Sequence, residues 1–177
     1  MNQQQGDRID RFHWMILSAG GLGAMPIASG TWGSLPPVVL AFVLSIMLEQ
    51  AWIIDACMIL LCIGFSIGCI RFGHHAERVL GRKDPGEVVA DEVAGQSIAL
   101  LWIPWTIPGS EDGWFLQNAV LAASAFLLFR FFDILKPPPA RGLQKMQGGW
   151  GILVDDLIAG AMAWLVLQVA FRLFLGW

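Results

Sequence analysis

Charged residues are scarce in this chain of 177 residues: they make up 14% of it, while hydrophobic residues make up 56%. Globular domains typically contain about 25% charged and about 45–50% apolar residues. A soluble sphere of this size could not bury so much apolar surface. The composition therefore predicts one domain, residues 1–177, that is a polytopic membrane protein.

Other features that the chain lacks exclude further classes. The net charge is −3 and there is no basic block, which argues against a nucleic-acid partner. The three cysteines lie in one apolar stretch, residues 57–69, without the spacing of a zinc site or a disulfide framework. Residues 1–10 are polar and lack a basic region followed by an apolar core, so we expect no cleaved signal peptide.

Long apolar segments predict an all-α fold, a bundle of about five membrane helices. We place the helices at residues 35–48, 52–70, 86–107, 115–135 and 152–175. Residues 16–34 are rich in glycine and contain a proline, a composition that is poor for a regular helix. We therefore expect this segment to be re-entrant or interfacial.

The basic residues predict the orientation of the bundle. Ten of the eleven lysines and arginines fall in or beside three segments. If the chain crosses the membrane five times, all three segments come to the same face. Basic residues favour the cytoplasmic side of short loops, so this face should be cytoplasmic, with the N-terminus inside and the C-terminus outside. The ten residues are Arg8, Arg11, Arg71, Arg78, Arg82, Lys83, Arg130, Lys136, Arg141 and Lys145.

Acidic residues occur inside three of the predicted helices, near their cytoplasmic ends. An ionisable side chain at the middle of a membrane helix costs roughly 2.5–3.5 kcal/mol on insertion scales and tends to be functional. Paired acids occur in the third and fifth helices, and an arginine with an acid ends the fourth. These residues are Asp91, Glu92, Asp155, Asp156, Arg130 and Asp133.

Gathered at one interface, the acids require a compensating cation. Carboxylate oxygens suit Mg²⁺, Mn²⁺ or Ca²⁺, and Mg²⁺ is usually held by one or two carboxylates together with waters and a substrate phosphate. Arginine and lysine are natural phosphate partners. The pattern therefore predicts a divalent metal beside a phosphorylated lipid headgroup, with candidates that also include Glu87, Lys83, Lys136, Thr31 and Ser34.

Structural roles are the alternative for some of these residues. Asp84, Pro85 and Glu87 have the spacing of a helix start, which could explain the acids at 84 and 87 but not Asp91 and Glu92. Asp155 and Asp156 could interact with a helix dipole, although two adjacent acids repel each other. Ser34 has no histidine base nearby in the sequence, so a Ser-His-Asp hydrolase is unsupported.

Four sequence blocks resemble the bacterial phosphatidylglycerophosphatase A family. They are GTWGSL (30–35), KDPGEVVADE (83–92), FRFFDILKP (129–137) and GGWGILVDD (148–156). Their order and approximate separation match the family over nearly the whole chain. The resemblance implies Mg²⁺-dependent hydrolysis of phosphatidylglycerophosphate to phosphatidylglycerol and phosphate, at the cytoplasmic leaflet of the bacterial inner membrane.

The chemistry of the side chains suggests a role for each candidate. Carboxylates would bind Mg²⁺ (or Mn²⁺) and activate a water, although an aspartyl nucleophile is equally open. Cationic and hydroxyl groups would bind the phosphate and glycerol. The metal candidates are Glu87, Asp91, Glu92, Asp155 and Asp156; the catalytic candidates are Asp91, Glu92, Asp133, Asp155 and Asp156; the substrate-binding candidates are Thr31, Ser34, Lys83, Arg130 and Lys136.

Three other functions use the same residues. A divalent-cation or proton transporter would need polar groups across the whole membrane, whereas the outer halves of the third and fifth helices offer only Ser97 and Gln168. A lipid-phosphate transferase would use the same acids to form a new phosphodiester bond. A non-catalytic scaffold would leave the cost of the clustered charges unexplained. The sequence does not specify an oligomeric state.

Overall fold

The computed structural model describes residues 9–138, 148–174 and 176, and every regular element within them is helical. The predicted all-α class is therefore confirmed. The α-helices in chain order are α1 (Arg11–Leu17), α2 (Ser29–Met47), α3 (Ala51–Leu80), α4 (Ala90–Ala99), α5 (Trp114–Leu135) and α6 (Gly149–Phe174), with a short 3₁₀ turn at Leu22–Ala24.

Four of these helices, α2, α3, α5 and α6, are long and apolar enough to cross a membrane. Each covers one of the predicted spans to within one residue at its end, which confirms a helical membrane bundle. Helix α3 continues ten residues beyond the predicted end at residue 70, through the charged stretch to Leu80. The helix ends where Gly81 adopts a left-handed conformation with φ of 68°. Glycine is common at this position of a helix end because it has no Cβ to clash in that conformation.

The glycine-rich segment is only partly as predicted. Apart from the 3₁₀ turn at Leu22–Ala24, residues 18–28 are irregular, but Ser29–Ser34, expected to lie outside a regular helix, form the first turns of α2. Tertiary packing explains the difference. A Cβ on Gly33 would lie 2.5 Å from the Cβ of Val89, so this glycine lets α2 approach the start of α4 closely. The packing gained offsets the low helix propensity of glycine.

The predicted third helix, residues 86–107, is much shorter in the structure. Helix α4 begins at Ala90, so Asp84 and Glu87 do not cap it, and it ends at Ala99. Ten residues span about 15 Å, roughly half of a bilayer's hydrocarbon core. Most of α4 is buried between α3 and α6, and residues 100–107 continue the chain beyond α4 in irregular form.

Side chains from other helices satisfy the backbone of this irregular segment. Asp55 on α3 accepts the backbone N–H of Trp102 at 2.8 Å, and Gln168 on α6 donates to the carbonyl of Trp102 at 3.0 Å. Asn118 on α5 accepts the N–H of Thr106 at 2.8 Å and donates to its carbonyl at 3.0 Å. Non-helical backbone is tolerated at membrane depth where the protein supplies such partners.

The bundle brings specific helix ends together. Contacts between elements place the N-terminal ends of α2, α4 and α6 beside the C-terminal end of α5. One apolar core cluster fills the opposite half, around residues such as Met58, Leu100, Leu121 and Leu167. A second one, which includes Val88, Ala94 and Ile152, packs beside the joined helix ends. Three of the predicted basic-face residues, Arg8, Arg141 and Lys145, lie outside the described residues. The orientation of the bundle therefore stays a prediction.

Candidate active site

Three carboxylates from two helices converge at this end of the bundle. One oxygen each from Asp91 and Glu92, in the first turn of α4, and from Asp156, in the second turn of α6, lie within 4.8 Å of one another. Asp91 is 5% exposed and Asp156 is 2% exposed. We call these three residues the carboxylate cluster.

The cluster has acceptor atoms that the described part of the chain leaves unused. Asp91 Oδ1, Glu92 Oε2 and Asp156 Oδ2 are buried and accept no hydrogen bond from the described residues. Buried carboxylates at this separation repel one another unless a cation or shared protons lie between them. The available ligand atoms are all carboxylate oxygens, which Mg²⁺ and Mn²⁺ prefer. The residues therefore fit a divalent cation.

Close contact between two glycines positions the cluster. A Cβ on Gly160 would lie 2.2 Å from the carbonyl oxygen of Gly95, and a Cβ on Gly95 would lie 2.4 Å from the carbonyl oxygen of Asp156. Asp91 precedes Gly95 by four residues, and Asp156 precedes Gly160 by the same number. Since residues four apart share a helix face, the glycine contact brings the two acids to the same place.

Arg130, near the end of α5, lies beside the cluster. Its Nη1 contacts Asp133 Oδ2 at 2.6 Å and donates to Ser34 Oγ at 3.4 Å. A Cβ on Gly30 would lie 3.0 Å from this Nη1 and 2.4 Å from Glu92 Oε1, so the first turn of α2 fits against both charges. The guanidinium is thus fixed next to the carboxylates, where it can bind an anion.

Lys136 is the second cation of the site. Its Nζ donates to Asp155 Oδ2 and lies 4.0 Å from Asp133 Oδ1. Partial burial by itself lowers the pKa of Lys136, but the hydrogen bond to Asp155 and the charges of Asp155, Asp156 and Asp133 outweigh it. The net effect raises the pKa above that of an ordinary lysine, so the ammonium stays charged at neutral pH.

Most of the predicted site residues are brought together by these contacts. Asp155 lies next to the cluster in sequence, but its carboxylate pairs with Lys136 and is outside the group of three. The joined residues are Ser34, Asp91, Glu92, Arg130, Asp133, Lys136, Asp155 and Asp156.

Three predicted residues are placed differently. The carboxylate of Glu87 pairs with Arg82 and is outside the group of three, so this geometry does not support Glu87 as a metal ligand. Lys83 is exposed and lines a surface groove with Arg78. Both residues belong to the loop before α4, which starts only at Ala90. Thr31 is half-buried in the first turn of α2.

Gln96 is a residue that the sequence analysis missed. It follows Glu92 by one helical turn and is fully buried, and its amide Nε2 and Oε1 have no partner among the described residues. A buried amide normally bonds to protein or to an ordered water. The sequence signal that could have identified it is a large polar side chain among residues that are mostly small or apolar.

Comparisons with known proteins agree with the resemblance noted in the sequence. Residues 15–171 match the family model described as phosphatidylglycerophosphatase A. The Haemophilus influenzae phosphatidylglycerophosphatase A is 35% identical over 86% of this chain and 85% of its own length. The Escherichia coli (strain K12) phosphatidylglycerophosphatase A is 30% identical over 85% of this chain and 78% of its own.

A third relative carries a different name. A Bacteroides thetaiotaomicron protein, provisionally named as a phosphatidylinositol-3-phosphatase, is 32% identical over 88% of this chain and 91% of its own. No solved structure matches the chain. All three names thus describe a phosphatase that acts on a phosphorylated phospholipid headgroup. They differ in the headgroup, which is glycerol in two names and inositol in the third.

Proposed function

Because the chain belongs to the phosphatidylglycerophosphatase A family and is a phosphatase, we propose that it hydrolyses the terminal phosphate of phosphatidylglycerophosphate. The products are phosphatidylglycerol and inorganic phosphate. We further propose that the reaction needs Mg²⁺, for which Mn²⁺ can substitute, and takes place at the cytoplasmic leaflet of the bacterial inner membrane.

The observation that carries the Mg²⁺ proposal is the carboxylate cluster with its unused acceptor atoms beside Arg130. Asp91, Glu92 and Asp156 would hold the ion. A bound divalent cation offsets phosphate charge and lowers the pKa of a coordinated water. The same cation would balance three buried negative charges that otherwise oppose folding.

The remaining side chains of the site have roles that follow from their contacts. Arg130, oriented by Asp133 and Ser34, would bind two phosphate oxygens and stabilise the charge that develops on them. Lys136, oriented by Asp155, would supply a second positive charge. In the reaction the bond from phosphorus to the glycerol oxygen breaks, the leaving oxygen takes up a proton, and a bond from phosphorus to an oxygen nucleophile forms. If the nucleophile is a water, this water loses a proton and the product is inorganic phosphate. If it is a carboxylate of the cluster, a water then hydrolyses the acyl phosphate and restores the carboxylate.

The position of the site suits a lipid substrate. The cluster lies where four elements meet at one end of the bundle, and Lys136 directly follows the membrane helix α5. A lipid could therefore keep its acyl chains in the bilayer while its phosphorylated headgroup enters the site. No deep pocket is then needed.

A transporter is the less favoured alternative because the polar residues far from the cluster are used structurally. Gln168 and Asn118 bond to backbone groups of the irregular segment, and Ser97 Oγ donates to the carbonyl of Val93 at 2.7 Å. A lipid-phosphate transferase would use the same cluster but would transfer the phosphoryl group to a lipid alcohol instead of water.

We expect purified protein in detergent to release inorganic phosphate from phosphatidylglycerophosphate with Mg²⁺, and a chelator to stop the release. Adding back Mg²⁺ or Mn²⁺ should restore it, since the ion offsets charge on both the site and the substrate. A panel that includes phosphatidylinositol 3-phosphate tests the lipid. Turnover that resists chelation would contradict the metal assignment, and phosphate release from the inositol lipid alone would contradict the substrate assignment.

The orientation can be tested by labelling single cysteines in intact cells with a membrane-impermeant maleimide. We expect Glu111→Cys, in the exposed loop before α5, to react from outside, because it lies at the end opposite the basic residues. Arg78→Cys, exposed near the end of α3, should react only after the cells are opened. The unsubstituted chain reports labelling of the native cysteines. The reverse pattern would place the site on the outer face.

A further inference from the structure

A cavity lies at the end of the bundle opposite the carboxylate cluster. Its volume is about 360 Å³, and it lies between the start of α3, the irregular segment after α4 and the end of α6. Asp156 and Arg172 are 16 residues apart on α6, a separation of about 24 Å along the helix. The cavity and the cluster therefore lie near opposite ends of α6, which is long enough to cross a membrane.

The lining of this cavity carries one charge of each sign. Asp55 is half-buried on α3 and Arg172 is exposed in the last turn of α6. No ion pair joins them in the described part of the chain. Asp55 Oδ1 already accepts the N–H of Trp102, but a carboxylate has room for further donors on its second oxygen.

Two tryptophans add to this lining. Trp105 is only 7% exposed, and its ring lines the cavity. Trp102 is 59% exposed and has a positive φ of 52°, a strained conformation for a bulky residue. Exposed tryptophan is typical of the headgroup level of a membrane.

We propose that this cavity binds the headgroup of a zwitterionic aminophospholipid from the leaflet opposite the carboxylate cluster. Arg172 donates to the phosphodiester oxygens, Asp55 accepts from the primary ammonium group, and the rings of Trp102 and Trp105 line the cavity beside them. The volume exceeds that of one water, which is about 30 Å³ in the liquid, by roughly tenfold. An anionic headgroup without an ammonium would face Asp55 unpaired, so the charge pattern favours the zwitterion.

The proposal is tested by native mass spectrometry of the protein in neutral detergent with chelator, which keeps the metal out of the carboxylate cluster. Equal amounts of phosphatidylethanolamine, phosphatidylcholine and phosphatidylglycerol are offered together. Phosphatidylethanolamine should be retained most, since it alone combines a phosphate with a primary ammonium. Thermal unfolding with each lipid should follow the same order, because a ligand that binds the native state stabilises it.

Substitutions identify the cavity as the binding site. Arg172→Gln should lower the retained phosphatidylethanolamine about tenfold, the loss expected from one charge-assisted hydrogen bond, while Arg172→Lys should keep most of it. Asp55→Asn keeps an acceptor for Trp102 but should reduce phosphatidylethanolamine to the level of phosphatidylcholine. Arg71→Gln, an exposed cation toward the other end of α3, is the matched control. Equal retention of the three lipids, or an equal loss in the control, would overturn the proposal.

Discussion

Asp156→Asn and Asp91→Asn are each expected to lower kcat by about 100-fold or more, measured as phosphate release at saturating Mg²⁺ and substrate. Each change replaces a charged ligand with a neutral amide, so the site holds the cation less tightly and offsets less phosphate charge. Both side chains are buried and belong to the group whose oxygens lie within 4.8 Å of one another. Asparagine keeps nearly the same shape, so packing should be preserved.

Two controls separate the cluster from acidity in general. Asp112→Asn changes an exposed acid in the loop before α5 and should leave kcat unchanged. Asp155→Asn is adjacent to Asp156 but removes the partner of Lys136, so we expect a smaller loss than at position 156. A near-normal rate for either cluster variant would remove that residue from the set of metal ligands.

Stability gives an independent readout of the same two variants. Without a divalent cation the three carboxylates of the cluster oppose one another, because burial strengthens the repulsion. Removing one charge should then leave Tm in chelator unchanged or raise it, while the stabilisation by added Mg²⁺ becomes smaller. A large fall of Tm in chelator would indicate a structural role for the carboxylate.

Gly160→Ala is expected to lower kcat by about 100-fold although it changes no side chain of the cluster. The added Cβ would lie 2.2 Å from the carbonyl oxygen of Gly95, a distance that real Cβ atoms do not adopt. Helix α4 must therefore move away from α6, which carries Asp91 and Glu92 away from Asp156. A displacement of about 1 Å can cost about 100-fold in rate when it misplaces catalytic groups. Phosphate release measures the loss of kcat, and Tm measured on the same variant reports how far the packing is destabilised.

The chain offers a matched control for this substitution. Gly64 on α3 is also helical, and a Cβ there would meet no atom within 4 Å. Gly64→Ala should therefore leave kcat unchanged and, since alanine favours helix, should not lower Tm. If Gly160→Ala kept the normal rate, the close crossing of α4 and α6 would not be what aligns the cluster.

The chemistry of the site could be predicted because each charged residue that is costly to place in a membrane can be recognised individually in the sequence. Asp91, Glu92, Arg130, Asp133 and Asp156 are charged positions in apolar surroundings, and that contrast needs no knowledge of the fold. The four long helices were equally visible, since a run of apolar residues long enough to cross a bilayer is a local property. Glu87 and Lys83 shared the charge of the others and only the loop geometry distinguishes them.

The path of the chain between the helices depended on contacts that no local pattern contains. Residues 29–34 are helical because Gly30 and Gly33 let α2 approach α4 and Arg130, which outweighs their low helix propensity. Residues 100–107 are irregular because Asp55, Gln168 and Asn118, distant in sequence, bond to their backbone.

Composition and hydropathy by themselves determined that this protein is a helical membrane protein with acids and bases at one face, because the transfer of each residue from water to lipid is nearly independent of its neighbours. The tertiary structure alone decided which of those acids form the cluster. The close contact of Gly95 and Gly160 depends on how helices α4 and α6 cross along their whole length, and it brings Asp91, Glu92 and Asp156 together. The carboxylates of Glu87 and Asp155 instead pair with a nearer cation, Arg82 and Lys136 respectively.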